Sequence, residues 1–488
     1  MHAVPNIRIR TIRDLPPRGD ADYVLYWMTA FRRPGHNFSL QRAVEWSHQL
    51  QRPLVVLEAL RSNYRWSSDR IHRFVIDGMI DNAAEFAGKP LLYYPYLEEI
   101  EGAGKGLLAA LADRAAVVVG DDFPCSFLPR MVTAAANQVA CRLELIDSNG
   151  LLPMRAATKL FTRAFDFRIF LQKNLLPHLA EFPESDPLAG VDLPQINTLP
   201  ATLTKRWPAA NLKRFKRRAD ELAGFPIDHS VPPVATAGGC RAAQATLQLF
   251  LDSKLSHYAS ERNEPELDAT SGLSPYLHFG HISVHAIFDA LTRRADWIPD
   301  KLTGRTNGSS QGWWGVDANE ESFLDELITW RELGYNMCSQ RADYDQYESL
   351  PAWAQETLAE HANDPRPRVY TLEQLQQSRT HDPLWNAAQR QLVREGRMHN
   401  YLRMLWGKKI LEWSPSPQIA LDYMIELNNR IALDGRNPNS YSGIFWVLGR
   451  YDRAWGPERS IFGKIRYMSS DNTARKFSVK RYLEVYSH

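Results

Sequence analysis

The chain has 488 residues, more than the roughly 250 to 300 at which a single hydrophobic core stops growing, so we expect two domains. Its 58 basic and 56 acidic side chains give a formal net charge of +2, so any contact with nucleic acid must come from a local basic patch. Four cysteines lie far apart in the chain, at Cys125, Cys141, Cys240 and Cys338, which favours reduced thiols over a disulfide framework or a zinc site. No apolar run is long enough to span a membrane, so we expect a cytoplasmic protein without a membrane anchor.

The first third of the chain alternates strand-like and helix-like stretches. Apolar runs typical of buried strands span 22–28, 53–60, 90–97, 115–122 and 142–150. Between them, Phe38 to Leu50 and Arg70 to Phe86 carry apolar residues at the spacing of amphipathic helices. This alternation predicts a parallel sheet covered on both faces, a Rossmann-like α/β domain over residues 21–155. The carboxyl ends of its strands would form a crevice for a planar ligand.

A proline-rich stretch follows the predicted sheet. Residues 181–200 (EFPESDPLAGVDLPQINTLP) lack apolar periodicity, which is typical of an interdomain connection, and we place this linker at 156–205. Beyond it, helical patterns dominate, with prolines such as Pro275 and Pro383 at the turns. We therefore expect residues 206–488 to form a larger, nearly all-α domain.

The first candidate site is the segment ATSGLSPYLHFGHIS (269–283). It places the hydroxyls of Thr270, Ser271 and Ser274 around Gly272, just before a helix that begins near Pro275. Hydroxyls and free backbone N–H groups at the start of a helix form an anion site suited to a diphosphate. An ordinary helix cap without a ligand produces the same pattern.

The second candidate is the segment ELITWREL (326–333). Glu326 and Trp330 are four residues apart and so share one helical face. A tryptophan on a helix is usually part of the core, with a solvated glutamate beside it. The alternative is a ligand site in which Trp330 stacks against a base while Glu326 hydrogen-bonds it.

The third candidate is a set of tryptophans in neighbouring predicted helices. Trp406 and Trp413 are seven residues apart, which puts them on nearly the same face about 10 Å apart along the axis, and Arg403 precedes Trp406 by three. Trp385 lies on the preceding predicted helix, where it can pack beside Trp406. Three indoles spaced in this way allow a stepwise electron path from the surface, although ordinary core packing would also place tryptophans there.

The fourth candidate is a basic, aromatic stretch, RYDRAWGPERSIFGKIRYM (450–468). A basic stretch is usually a solvated face. Here Trp455 and Tyr467 are interleaved with arginines that include Arg453 and Arg466, which suits phosphate binding and stacking at a kink in DNA.

Together these motifs resemble the photolyase/cryptochrome family and, within it, the class II cyclobutane pyrimidine dimer photolyases. The likeness extends over most of the chain, from VLYWM near its start to FGKIRYM and RKFSVKRYL near its end. The 269–283 segment resembles the flavin-diphosphate loop, and the tryptophans ahead of NAAQ, in RM-x-W and in KKILEW resemble the class II arrangement. The chain departs from the family at Asn400, where the family usually has a glycine after Met-His.

The resemblance implies a set of site residues. Those that would bind FAD, active in its reduced anionic form, are Tyr258, Arg262, Thr270, Ser271, Gly272, Leu273, Ser274, Asn400, Arg403, Asp434 and Asn439. The implied catalytic residues are Glu326, the electron-path residues Trp385, Trp406 and Trp413, and Asn428 at the flavin N5 edge. Those that would contact DNA are Trp330, Trp446, Arg453 and Arg466.

The function implied by the resemblance is light-driven DNA repair, in which reduced FAD passes an electron to a pyrimidine dimer flipped out of the duplex. By analogy with the family, the α/β domain is where an antenna chromophore would bind, and the sequence leaves open a deazaflavin, a folate or none. We expect a monomer whose partner is damaged DNA, without a metal or a membrane. Two alternatives stay open: a cryptochrome-like light receptor without catalysis, and repair of the (6-4) photoproduct. The combination of Glu326, Trp330 and Trp446 favours repair over the receptor. The (6-4) reaction would require a histidine in the lesion pocket; His399 adjoins the flavin motif, but the class II pattern also has a histidine there.

Overall fold

The computed structural model describes residues 2–218 and 220–487. The chain forms two compact units, each assembled from several segments. The sheet unit comprises Met1–Thr158, Asn174–Leu249 and Gly272–Pro299, and the helical unit comprises Lys159–Lys173, Phe250–Ser271 and Asp300–His488. The domain boundaries predicted from the sequence, 21–155, 156–205 and 206–488, stay a prediction.

The sheet unit contains a sheet of six strands. They are β1 (Ile9–Arg13), β2 (Tyr23–Met28), β3 (Leu54–Leu60), β4 (Leu92–Leu97), β5 (Ala115–Asp121) and β6 (Arg142–Ile146). The strand order is β1-β6-β5-β2-β3-β4, with parallel pairing except at the edge, where β1 runs antiparallel to β6. The predicted parallel sheet is confirmed, and β1 is an addition that the sequence pattern did not predict.

Helices follow these strands and make up most of the rest of the chain. In chain order they are α1 (Phe38–Leu50), α2 (Asp69–Glu85), α3 (Leu107–Ala112), α4 (Leu128–Ala136), α5 (Ala164–Asn174), α6 (Ala201–Arg206), α7 (Cys240–Ser253), α8 (Tyr258–Glu261), α9 (Ser274–His278), α10 (Val284–Arg294), α11 (Ala318–Leu324), α12 (Arg331–Gln340), α13 (Ala352–Glu360), α14 (Leu372–Gln376), α15 (Pro383–Glu395), α16 (Asn400–Trp413), α17 (Pro417–Ile431), α18 (Pro438–Val447), α19 (Ser470–Lys476) and α20 (Lys480–Val485). The predicted fold class, a Rossmann-like domain with a larger helical part, is confirmed.

The sheet is buried on both faces, as a parallel sheet requires. Successive residues of β2 point to opposite sides, so that Leu25 belongs to one apolar cluster and Val24 to the other. Residues that follow the sheet complete both clusters. Leu188 and Leu193 pack on one side, and Trp207 packs on the other. The proline-rich stretch therefore contributes to the core of the sheet unit, although it has no helical or strand periodicity.

In the helical unit, α16 packs against α15, α17 and α18. A close approach between α16 and α18 depends on Gly407, where an added Cβ would lie 2.4 Å from a side-chain carbon of Val447. Prolines stand at the first turns of α15, α17 and α18, where the missing N–H costs no helical hydrogen bond. Within the described ranges, no helix has the length and apolar character needed to cross a membrane.

Candidate functional site

A π-helical turn, Asp325–Trp330, joins α11 to α12. Its hydrogen bonds span five residues, and such turns occur often at functional sites. Asp325, Glu326 and Trp330 are half-buried on this turn, whereas Leu327 to Thr329 are buried. Glu326 and Trp330 thus lie on the partly open side, as their spacing predicted. The wide turn itself was not predicted, because one extra residue in a helix leaves the apolar spacing almost unchanged.

The carboxylate of Glu326 forms an ion pair with the guanidinium of Arg262. Although 32% of the Glu326 side chain is exposed, the surrounding protein desolvates its carboxyl group. This desolvation raises the pKa of Glu326, and the nearby positive charge of Arg262 opposes the rise. Glu326 therefore keeps a proton to a higher pH than an exposed glutamate and can donate as well as accept hydrogen bonds.

Tyr258 lies beside this ion pair. It begins α8 and is buried between Phe250 and Phe323, whose ring centroids are each 5.6 Å from its own. The guanidinium carbon of Arg262 lies 5.8 Å from the centre of the Tyr258 ring. Burial raises the pKa of Tyr258 further above its usual range, so the phenol stays neutral. The structure thus brings two predicted cofactor residues next to the predicted lesion residue Glu326.

The predicted diphosphate segment crosses the division between the two units. Thr270 and Ser271, both half-buried, end one segment of the helical unit. Gly272 to Ser274 begin a segment of the sheet unit. Gly272 has a φ of +69°, a left-handed conformation that favours glycine, and Leu273 is buried just before α9. The predicted helix start near Pro275 is confirmed, whereas the diphosphate itself stays a prediction.

The three predicted electron-path tryptophans pack in one group. The rings of Trp385 and Trp406 are nearly parallel, with centroids 6.5 Å apart, and the Trp413 ring also contacts Trp385, with centroids 5.7 Å apart. Trp385 donates its indole N–H to the Trp406 carbonyl at 3.0 Å, and Trp406 donates its own to Gln389 Oε1 at 2.8 Å. The order is therefore Trp406, Trp385, Trp413.

Trp413 is only 3% exposed. The aromatic rings of Tyr370 and His381 pack against it, with centroids 5.4 Å and 5.2 Å away. The Tyr370 hydroxyl and His381 Nδ1 are 2.8 Å apart, and His381 is exposed. Tyr370 and His381 thus connect Trp413 to an exposed side chain.

The remaining predicted cofactor residues lie at the start of α16 and around the end of α17. Asn428 is buried, and its side-chain amide donates to Ser440 Oγ at 2.7 Å. Arg403 and Asp434 form a two-pronged ion pair at 3.2 and 3.3 Å. The spacing suggested that Arg403 shares a helical face with Trp406, and the structure shows that its guanidinium contacts the Asp434 carboxylate. Exposed residues at the starts of α16 and α18 are Asn400 and Asn439.

Three of the predicted DNA-contacting residues, Trp446, Arg453 and Arg466, belong to a series in which cations alternate with indole rings, and we call it the cation–indole series. The fourth, Trp330, is not part of it. The Arg466 guanidinium lies 5.5 Å from the centre of the Trp446 ring and 4.0 Å from that of Trp455, and Arg453 lies 4.6 Å from Trp455 on the outside. Lys408 begins the series on the inside, 4.7 Å from Trp446. The sequence analysis missed Lys408, although a lysine pair within an apolar helix was a visible signal.

A carboxylate holds the outer part of the series in place. Asp452 accepts hydrogen bonds from Arg466 Nε at 2.8 Å and Nη2 at 3.1 Å, and from the indole N–H of Trp455 at 3.1 Å. Arg466 is therefore neutralised within the protein, whereas Arg453 is exposed. These two arginines, which the sequence treated alike, differ in the charge that they offer to a phosphate.

Comparison with known proteins identifies the family. No family model matched the chain. The deoxyribodipyrimidine photo-lyase of Methanothermobacter thermautotrophicus is 33% identical over 477 residues, which cover 98% of this chain and 97% of that protein. Proteins of the same name from Potorous tridactylus and Oryza sativa subsp. japonica are 33% and 32% identical, covering 97% and 94% of this chain and 83% and 86% of theirs.

A solved structure supports the fold. A bacterial class III photolyase from Agrobacterium tumefaciens superposes with a TM-score of 0.65 over 96% of this chain and 86% of that one, at 16% sequence identity. The sequence relatives decide the family, because the 33% identity extends over nearly the whole of both chains. The chain therefore belongs to the deoxyribodipyrimidine photo-lyase family, as its motifs predicted.

Proposed function

We propose that this protein repairs cyclobutane pyrimidine dimers in DNA under light, as a class II photolyase. The proposal rests above all on the π-helical turn, on which the side chains of Glu326 and Trp330 are both half-buried and so partly open to solvent. The carboxyl of Glu326 can exchange hydrogen bonds with a base, and the indole of Trp330 offers a surface for stacking. The relatives named deoxyribodipyrimidine photo-lyase align with nearly the whole of this chain and support the same conclusion.

Membership of this family implies a flavin cofactor, and the residues present fit FAD. Asn428 would offer its carbonyl oxygen, because its amide nitrogen is already bonded to Ser440 and Asn429. The Arg403–Asp434 pair provides both a donor and an acceptor for the polar edge of a ring system. When bound, reduced FAD supplies a photo-excited electron that splits the dimer. We also propose an antenna chromophore, a deazaflavin or a folate, in the sheet unit.

The lesion would be flipped out of the duplex, since a base inside the stack cannot reach a protein site. Trp330 and Trp446, both half-buried, would stack against it. Glu326 would donate to a pyrimidine carbonyl when protonated and accept from an N–H when ionised. Burial raises the pKa of Glu326 and so eases the first role, whereas the ion pair with Arg262 favours the carboxylate and would hold it in place until the lesion arrives.

The buried tryptophans would carry electrons between the surface of the protein and the cofactor. Close packing in the order Trp406, Trp385, Trp413 provides short steps, and Tyr370 with His381 extends the series to an exposed side chain. Direct hydrogen bonds from both inner indoles keep the rings in one orientation.

The proposal is tested with purified protein and an oligonucleotide that carries one cyclobutane dimer, in light and in darkness. We expect splitting in light alone. Glu326→Ala should split fewer dimers per absorbed photon while the protein keeps its full flavin content, because the carboxyl touches the lesion. Bound, reduced flavin without splitting would favour a light receptor. Splitting of a (6-4) photoproduct alone would favour the other repair reaction.

A further inference from the structure

Lys408 is a fully buried lysine in the middle of α16. Its Nζ donates to the carbonyl oxygen of Val447 at 2.7 Å and lies 4.7 Å from the centre of the Trp446 ring. Removing an ammonium group from water is costly unless it is hydrogen-bonded or paired with opposite charge. A lysine at this position therefore needs an explanation beyond packing.

The hydrogen bond to Val447 caps the end of α18. The last carbonyls of a helix have no partners within it and carry the negative end of its dipole. The Trp446 carbonyl accepts from the Gly449 N–H at 3.1 Å, whereas the Val447 carbonyl accepts from Lys408. The ammonium thus holds the turn of α18 from which Trp446 projects. It reaches that turn because Gly407 allows α16 and α18 to approach closely.

Trp446 is held by cations as well as by its backbone. The ammonium of Lys408 lies 4.7 Å from the ring on the buried side, and the guanidinium of Arg466, which Asp452 fixes in place, lies 5.5 Å from it. Cation–π attraction is strongest where the cation is desolvated, as Lys408 is. Part of the ring remains open to solvent, so this orientation is available to a ligand.

We propose that Lys408 is a positioning residue that holds the Trp446 ring in the orientation needed to stack against an extruded base. This inference rests on the proposed repair function and deepens it. Lys408 sets the preference for damaged over undamaged DNA, because only an extruded lesion meets the ring of Trp446. Contacts between the protein and the DNA backbone do not depend on Lys408.

A purely structural lysine would behave differently. Methionine is similar in length to lysine but carries no charge and no hydrogen-bond donor. Lys408→Met therefore removes the ammonium with little change in shape. This leaves the Val447 carbonyl without its donor, so thermal stability falls in either case. If Lys408 positions Trp446, the variant loses lesion preference and keeps its affinity for undamaged DNA. If Lys408 only supports the fold, binding to damaged and undamaged DNA changes together.

The experiment compares Lys408→Met with Lys409→Met in the flavin-loaded protein. Lys409 is the next residue on α16 and pairs with Glu412 at 2.8 Å, so it is a matched control. Dissociation constants are measured for a duplex with one cyclobutane dimer and for the same duplex undamaged. We expect Lys408→Met to reduce the ratio of the two affinities about tenfold, as loss of one stacked base would. Lys409→Met and Lys408→Arg should keep the ratio within about threefold of the wild type.

A second measurement, acrylamide quenching of Trp446 fluorescence, needs no DNA. The Trp446 signal is the difference between a protein and its Trp446→Phe partner, and we expect it to be more readily quenched in Lys408→Met. If Lys408→Met does not fold, Lys408→Gln replaces it in both measurements. An unchanged affinity ratio and unchanged quenching in a folded variant would overturn the inference. Wild-type protein without lesion preference would overturn the proposed function, and quenching would then still decide the role of Lys408.

Discussion

Two groups of tryptophans in the helical unit differ in how their rings are held. Trp385, Trp406 and Trp413 are at most 3% exposed, and the first two donate their indole N–H groups to other parts of the protein. Trp330 and Trp446 are half-buried, and the neighbours of Trp446 include two cations. Burial and partners, and not residue type, thus distinguish indoles that can pass electrons inside the protein from indoles that can contact a ligand.

The largest effect should follow from replacing the inner buried rings. Trp406→Phe and Trp385→Phe should bind FAD but show strongly slowed light-driven reduction of oxidised flavin, because phenylalanine is far harder to oxidise than indole. Repair that starts from chemically reduced flavin should persist. Each variant should lose ~1–3 kcal/mol of stability from the smaller ring. Transient absorption measures the first effect, and thermal unfolding measures the second.

Trp207→Phe is the control for this loss of volume. Trp207 is 3% exposed in the sheet unit and donates its indole N–H to the Ala103 carbonyl at 2.9 Å. It should lose similar stability and keep normal photoreduction. Normal photoreduction in both Trp406→Phe and Trp385→Phe would disprove the path. Trp413→Phe should have a milder effect, since Tyr370 packs against that position and can replace the outer step.

The half-buried group should show the opposite pattern. Trp330→Ala should weaken binding to a dimer-containing duplex by ~1–3 kcal/mol, the value of one stacked base, and leave photoreduction unchanged. Fluorescence anisotropy with damaged and undamaged duplexes measures the change. Trp297→Ala, at a half-buried position in the sheet unit, should change neither affinity. Slowed photoreduction in Trp330→Ala would remove the distinction between the two groups.

Changing pH tests the ammonium beneath Trp446. Burial lowers the pKa of Lys408 from 10.5 to about 7; the negative charge of Asp452 opposes this decrease, and the positive charge of Arg466 adds to it. As pH rises from 6 to about 8.5, Lys408 loses its proton, and lesion preference should fall with a midpoint near 7. Lys408→Met should show no such midpoint. A wild-type preference that does not change across this range would contradict a role for the charge.

The lowered pKa of Lys408 also affects stability, and here a rise in pH is favourable, whereas it reduces lesion preference. An unfolded lysine keeps its proton up to its ordinary pKa of 10.5, whereas folded Lys408 loses it near 7. Between these values the unfolded chain binds more protons, so this group makes the protein more stable as pH rises. Urea unfolding at several pH values should therefore give a flatter dependence in Lys408→Met than in the wild type.

The smallest effects should come from the arginines at the outer end of the cation–indole series. Arg453→Ala should reduce the salt dependence of DNA binding by about 0.9 of a unit of logarithmic slope, equally for damaged and undamaged duplex, since one phosphate contact is lost. Arg466→Ala should change the slope less, because Asp452 already neutralises its charge. Salt titrations of both variants decide this. Equal slopes would mean that Asp452 releases Arg466 when DNA binds.

Much of the fold could be predicted because its signals are local. The apolar runs gave the five parallel strands, and helix α1 occupies the predicted residues Phe38–Leu50. Strand β1 escaped prediction because its sequence, IRTIR, is short and places its two isoleucines three residues apart, which is not the alternation of a half-buried strand. The proline-rich stretch looked like a linker because its leucines, although buried, follow neither helical nor strand spacing.

The candidate site was predictable as a set of residues and not as an arrangement. The spacing of Trp385 and Trp406 on neighbouring helices was sufficient to bring their rings together. The contact between Arg262 and Glu326 joins positions far apart in the chain, so no local pattern could reveal it. The same holds for Lys408, whose partners on α18 depend on how two helices pack.

The interleaving of the two units along the chain has a consequence for synthesis. The last strand of the sheet ends at Ile146, but helix α2 also packs on residues made much later, as in the ring contacts of Phe74 with Tyr276 at 5.5 Å and with His281 at 5.2 Å. At ribosomal speeds this delay is on the order of ten seconds. During that time the nascent chain carries a finished sheet with one helix uncovered on its outer side. That interval is when a growing chain most needs a chaperone, and a slow-translating stretch before residue 281 would prolong it.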